Sequence, residues 1–437
     1  MKHLFFLILF LPFGLFAQFK NIKLAEEEAG GRPMVEPSIV INLNDVNNIV
    51  AAYGLDRIKY THDAGATWQE TKVTSPYGVY GDVVLESDRK GTLYFLHLSD
   101  PSGEGRSSDK WLDRIVCHKS DDGGKTWNEG ESIGHNPPKD QDKPWVAIHP
   151  KKGNLVVSWT QFDKYGLDDP ACQSQILFST STNGGKKWSK PIQLNQNPGD
   201  CIDSDNTAEG AVPAISQDGK IFVTWSNAGI IYLDRSYDNG TTWLRNDLPV
   251  AEHVGGWDMN IPGLGRCNGM PVLKVDNSNS NTRGALSLMW ADQANGTDNT
   301  DIWFMRSPNQ GDNWTDPMRV NQDSTTAHQF LPWMTIDQTT GYFYIVYYDR
   351  RDYNDNRTDV YLAYSVDGYT FDEVKISETP FVPTPEKFFG DYTNIAANNG
   401  IITPIWTRMD NGVTSIWTTI IKQDELIKKA EPVKKKR

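Results

Sequence analysis

The chain has 437 residues, with 43 basic and 56 acidic side chains and a net charge of −13. That balance argues against the basic face a nucleic-acid partner would need. Aromatic residues make up 11%, and there are 36 glycines and 24 prolines, a composition suited to many short strands and tight turns.

Residues 1–17 carry Lys2 and His3, an apolar run over 4–10 and a small residue, Ala17, before Gln18. This is the layout of a signal peptide, too short for a spanning helix. No cysteine follows the run, and no later apolar stretch approaches the ~20 residues of a membrane span. The expectation is an exported protein without a transmembrane segment, secreted or periplasmic. Residues 19–24 then read as a short strand with no neighbour to pair with.

From residue 36 onward a unit repeats. Its first strand usually opens with proline, which is tolerated where the missing N–H costs little. Residues 36–41, 143–148, 212–215, 270–273 and 331–336 are of this kind, and 81–85 and 390–395 open with Gly-Asp instead. A turn and a very apolar second strand follow, at 49–53, 155–159, 221–225 and 342–348. A third strand runs into a polar turn, and a fourth leaves it. Four antiparallel strands per unit make a propeller blade.

The polar turn occurs six times. It runs from Thr61 through Asp63 and Gly65 to Trp68, and recurs as Ser120, Asp122, Gly124 and Trp127. Ser181, Asn183, Gly185 and Trp188 repeat it, as do Ser236, Asp238, Gly240 and Trp243, then Ser307, Asn309, Gly311 and Trp314. Ser365, Asp367 and Phe371 form a shortened copy. The Asp or Asn side chain can accept bonds from nearby N–H groups, glycine supplies positive φ, and the tryptophan packs the turn onto a core. The pattern resembles the Asp-box, or bacterial neuraminidase repeat, of sialidase-like β-propellers, and spans nearly the whole chain after residue 17. The resemblance implies an all-β fold, a single propeller over residues 18–421. First strands number seven against six turns. Seven blades are therefore expected, the ring closed by the N-terminal strand, with six, as in the sialidases, the alternative. Residues 422–437, ending in a basic run, read as a disordered tail.

Propeller ligands usually bind where first strands begin and second strands end. That face collects Glu36, Asp82, Asp142, Glu209, Asp391 and Tyr392, the candidate catalytic residues. Converging carboxyls raise one another's pKa, which suits one of them to general acid work. Lys143, Tyr348, Arg350, Arg351 and Arg408 are the candidate substrate-binding residues, arginine forks being suited to carboxylate or sulfate groups. Long loops at 99–110, 195–209 and 251–267 decorate the same face, where long loops are often functional.

The sialidase resemblance implies three arginines around a substrate carboxylate, a tyrosine nucleophile with a glutamate partner, and an aspartate acid/base. Val35 stands where the first of those arginines would be, and Arg32 lies three positions earlier. Three readings remain open: a glycan-cleaving hydrolase on the sialidase scaffold, a non-catalytic glycan- or protein-binding module of the cell envelope, and a lyase using His97, His328 or His253. Cys172 and Cys201 are the favoured disulfide, with Cys201–Cys267 the competitor and Cys117 a free core thiol. No zinc motif is present and no metal site is expected. A structural calcium ion is the one cofactor left open.

Overall fold

A computed structural model describes residues 19–427. The signal-peptide reading of 1–17 and the basic run from Lys428 lie outside the described residues. Seven antiparallel sheets form the molecule, six of them with four strands in sequence order. Blade one comprises Ser38–Ile41, Ile49–Tyr53, Arg57–Thr61 and Gln69–Lys72. Blade two comprises Gly81–Ser87, Leu93–Leu98, Ile115–Ser120 and Glu131–Ile133. Asp140–Ile148, Leu155–Phe162, Ser174–Ser181 and Ile192–Gln193 make blade three, and Glu209–Ile215, Ile221–Asn227, Ile230–Ser236 and Leu248–Glu252 blade four. Val272–Val275, Leu286–Asp292, Asp301–Ser307 and Met318–Arg319 make blade five. Gln329–Ile336, Phe343–Asp349, Asp359–Ser365 and Asp372–Lys375 make blade six.

Blade seven joins the two ends of the chain. Asn394–Asn398, Ile401–Asp410 and Val413–Thr418 are completed by Ile22–Glu26, with Ile22 opposite Thr418 and Glu26 opposite Ser415. The closing strand lies slightly later than residues 19–24, because Phe19 is buried ahead of it as a core residue. Closure supplies blade seven with its fourth strand and holds both ends of the chain in one sheet. The expected tail from 422 begins too early. Ile421–Lys422 pairs with the second strand of this blade, and Gln423–Ile427 is a short helix with Leu426 buried. Tyr364 OH donates to the Leu426 carbonyl, which fixes that helix on blade six.

Every residue of the second strands in blades one to six is buried. A strand packed between neighbouring blades has both faces covered, so it reads as a continuous apolar run rather than an alternation. In the five full polar turns the Ser or Thr hydroxyl accepts the glycine N–H at 2.7–3.1 Å. The Asp or Asn accepts a second backbone N–H at 2.8–3.0 Å. Trp127, Trp188 and Trp243 donate to the glycine carbonyl of their own turn. The Ser or Thr hydroxyl and the Asp or Asn side chain of each full turn are thus engaged within the turn itself, while the indole N–H groups of Trp68 and Trp314 have no partner. No helix among the described residues is long and apolar enough to cross a membrane.

Candidate active site at the strand-start mouth

First strands enter the ring through a shared irregularity. Their pairing with the second strands slips between Gly81 and Val84, Asp142 and Trp145, Glu209 and Val212, and Phe330 and Trp333. This is a β-bulge, which re-aims a side chain. The bulged residue has positive φ: 48° at Asp82, 47° at Lys143, 72° at Gly210 and 46° at Leu331, with Glu36 at 53° ahead of blade one. Glycine adopts this conformation freely, whereas a side chain there costs of order 1–3 kcal/mol. In three consecutive blades a charged residue occupies the strained position.

A cavity of about 260 Å³ opens at these bulges. Val35, Glu36, Asp82, Asp142, Lys143 and Asp391 line it from the strand starts. Arg32, Tyr80, Arg106, Trp111, Tyr165, Arg266 and Phe388 line it from the connecting segments. Lys143 is the hub. Its Nζ lies 3.2 Å from Asp391, 3.6 Å from Asp142 and 3.7 Å from Glu209, and its side chain is only 3% exposed. Its backbone N–H donates to Asp142 Oδ1 at 2.9 Å and to Asp82 Oδ2 at 3.2 Å. Arg266 is the second cation, gripping Asp391 through Nε and Nη2 and reaching Asp203 through Nη1. Asp203 also accepts from Tyr165 OH at 2.5 Å and from Trp257 Nε1 at 2.8 Å.

Six carboxyls therefore share two cations, and they cannot all be ionised. Burial pushes Glu36 up to about 8, with the Asp391 charge adding to it and Lys143 and Arg266 opposing. Burial and the neighbouring carboxyls push Asp82 and Glu209 well above the usual range. Both Glu209 oxygens lack a hydrogen bond in a fully buried position. Burial would raise Asp203 as well, but Lys143, Arg266 and the Tyr165 and Trp257 bonds hold it below a normal aspartate. Lys143 loses hydration by burial, yet Asp142, Glu209 and Asp391 keep it well above an ordinary lysine. Tyr392 OH has no hydrogen-bond partner, and burial with the nearby Asp82 and Glu36 pushes it up.

Glu36, Asp82, Asp142, Glu209, Asp391 and Tyr392, expected as catalytic residues, converge around Lys143. The other expected binding residues do not reach this cavity, because each is held elsewhere. Tyr348 is buried against Phe330, Phe381 and Phe389 and donates to the Thr407 carbonyl. Arg350 is 3% exposed and donates to the Pro262 carbonyl and Thr358. Arg351 pairs with Asp349 and Glu373, and Arg408 with Asp410 and the Thr379 carbonyl. The three histidines are interior groups too: His97 bonds His118, His253 bonds Ser226 and His328 bonds Thr300. Among the described residues no group of His, Cys, Asp or Glu is arranged to hold a metal ion.

Arg32, despite its early position, lines the cavity with its guanidinium 5.7 Å from the centre of the Tyr80 ring. Arg106, Tyr165, Asp203, Trp257 and Arg266 were not singled out from the sequence. The signal that could have found most of them is loop length, since Arg106, Asp203, Trp257 and Arg266 sit in the three long loops. A disulfide between Cys172 and Cys201, Cα atoms 5.8 Å apart, ties down the loop that delivers Asp203. Cys117 and Cys267 are buried free thiols.

No family model matches the chain, and no curated protein matches it in sequence. Solved structures do resemble it in shape. An ulvan lyase of a polysaccharide lyase family, bound to -[GlcA(1-4)Rha3S]-, superposes with a TM-score of 0.55 at 12% identity, covering 95% of this chain and 100% of that one. An α-L-arabinofuranosidase from Fusarium graminearum gives 0.52 at 12% identity, covering 93% and 98%. The NanB sialidase from Streptococcus pneumoniae gives 0.51 at 10% identity, covering 86% and 75%. At these identities the likeness speaks for fold alone, and in fold this chain is a sialidase-like β-propeller, here of seven blades.

Proposed function

We propose that this protein is an exported enzyme that cleaves acidic glycans in the strand-start cavity, most simply as a glycoside hydrolase. The observation that carries this reading is a cation-lined cavity that brings two carboxyls, Glu36 and Asp142, together with Lys143 and Arg266, with Glu36 pushed up to about 8 by burial and Asp391. A protonated carboxyl can deliver its proton to a glycosidic oxygen as the bond breaks. Asp142 lines the same cavity and serves as the second carboxyl, acting as base or nucleophile. Lys143 and Arg266 keep the remaining acids from repelling an incoming anionic sugar.

Substrate charge is read from two further arginines. Arg106 lies 5.4 Å from the centre of Trp111 and 5.1 Å from that of Tyr165, and Arg32 stacks on Tyr80. Neither arginine has a carboxylate partner among the described residues, so each can offer its fork to a uronate, sialate or sulfate group. Three of the solved propellers that resemble this chain bear the names of a lyase, an arabinofuranosidase and a sialidase, which supports a glycan as the substrate. The apolar N-terminal run and a disulfide are both in keeping with export to an oxidising compartment.

A screen of aryl sialosides, aryl uronides and uronate-containing polysaccharides, comparing wild type with Glu36→Gln and Asp142→Asn, tests this. Turnover of an anionic substrate, with kcat lowered by about 10²–10⁴-fold in Glu36→Gln, is the expected result. A product carrying a new ultraviolet-absorbing double bond would assign elimination instead of hydrolysis. Saturable glycan binding without turnover would make the protein a binding module.

A further inference from the structure

The opposite end of the channel holds a second cavity of about 220 Å³, walled by the first strands of all seven blades. Trp145 and Trp333, ring centres 4.2 Å apart, line its inner part, with Tyr392 against Trp145 at 5.1 Å. None of the three lines the strand-start cavity, so the two spaces are separate. Leu43, 42% exposed, and the exposed Arg89 mark the opening to solvent.

One level of this wall is unusual. The last residue but one of the first strand is Ala147 in blade three, Ala214 in blade four and Thr335 in blade six. At the same place blade two presents Glu86 and blade five presents Lys274. Two blades separate them on one side of the ring and three on the other, so they face each other across the channel. They come no closer than the 4.0 Å of an ion pair, and neither makes an ion pair with any other described residue. Burial pushes Glu86 up and Lys274 down, each partly offset by the charge of the other. Two opposite charges held apart across one channel, each without an ion-pair partner, are incompletely compensated. An anion or a cation alone would satisfy one and leave the other.

We propose that this end of the channel is a binding site for a small zwitterion, its ammonium toward Glu86, its carboxylate toward Lys274 and its aliphatic frame against Ala147 and Ala214. The cavity is below the ~300–1,000 Å³ of sites that enclose drug-sized molecules, which fits an amino-acid-sized ligand. The site is independent of the glycan reading, because it shares no lining residue with the strand-start cavity.

Titration calorimetry on the full chain decides it, with L-alanine and β-alanine as probes and propionate and ethylamine as single-charge controls. Saturable binding of one zwitterion is expected, at least tenfold weaker for both controls and for the Glu86→Gln and Lys274→Met variants. The double variant Glu86→Lys with Lys274→Glu keeps the charge pair, so it should fold and recover binding even where a single variant does not. Wild type that binds neither zwitterion, controls that bind equally well, or single variants that keep full affinity would each overturn the site and leave a hydrated ion pair only.

Discussion

Blades three and four open with the same bulge, yet the residue in it is Lys143 in one and Gly210 in the other. In blade four, glycine meets the positive φ without strain and leaves room for a loop aromatic. A Cβ on Gly210 would lie 2.8 Å from Cζ3 of Trp257. In blade three the chain tolerates the strain and places an ammonium among three carboxylates, 5.8 Å from the centre of that same Trp257 ring. Blades one and two follow blade three, with Glu36 and Asp82, while Leu331 in blade six is an apolar core residue. One backbone device thus serves two ends: close packing where the side chain is absent, and concentrated charge where it is ionisable.

The sharpest way to break this comparison is Lys143→Met, which leaves buried carboxyls without their central cation. Removing one partner of a buried pair costs about 3–5 kcal/mol, and urea denaturation should show a loss of that size at neutral pH. An unchanged midpoint would mean that the carboxyls simply take up protons and that Lys143 is not the hub.

The pH dependence of stability tests the same charges from the other side. Glu36 is raised from 4.5 in the unfolded chain to about 8 in the fold. Between those values the native state holds a proton that the unfolded state has released. Its stabilising contribution is therefore full below pH ~4.5 and is lost as the pH rises toward 8. Glu36→Gln should flatten that decline in a denaturation series across the window. A wild-type curve with no such decline would place Glu36 in water.

Gly210→Ala asks whether the bulge in blade four truly needs its glycine. Positive φ and the Trp257 contact together should cost about 1–3 kcal/mol in thermal or urea unfolding. A neutral result would show that the strain at Lys143 is also negligible. The smallest effect is expected at the far face. Asp122 accepts from the Thr126 hydroxyl at 2.6 Å and from two backbone N–H groups, and it is largely exposed. Asp122→Ala should cost about 0.5–1.5 kcal/mol and leave glycan turnover unchanged, whereas a loss of turnover would bring the turns into the function.

Much of this arrangement was legible beforehand at the level of repeats. Seven first strands against six turns required a closing strand from the N-terminus, and Ile22–Glu26 supplies it. Rim carboxyls were legible too, because a strand start repeated around a ring brings Glu36, Asp82, Asp142 and Asp391 to one mouth whatever the details of packing. Tyr348, Arg350 and Arg351 misled, since residue type and place on the strand say nothing about who satisfies them. Arg351 is used up by Asp349 and Glu373 within its own blade.

The sequence by itself therefore determined the ring, its order of blades and the face on which charge gathers, because periodicity and turn chemistry are local properties. Tertiary structure alone decided which loop residues join the rim carboxyls on that face. Arg106, Asp203, Trp257 and Arg266 come from loops with no repeat to index them, and their positions depend on long-range contacts such as Arg266 with Asp391. The same holds for Glu86 and Lys274, unremarkable where they stand in two separate strands. Only closure of the ring sets them across one channel, where each is partly desolvated and feels the charge of the other.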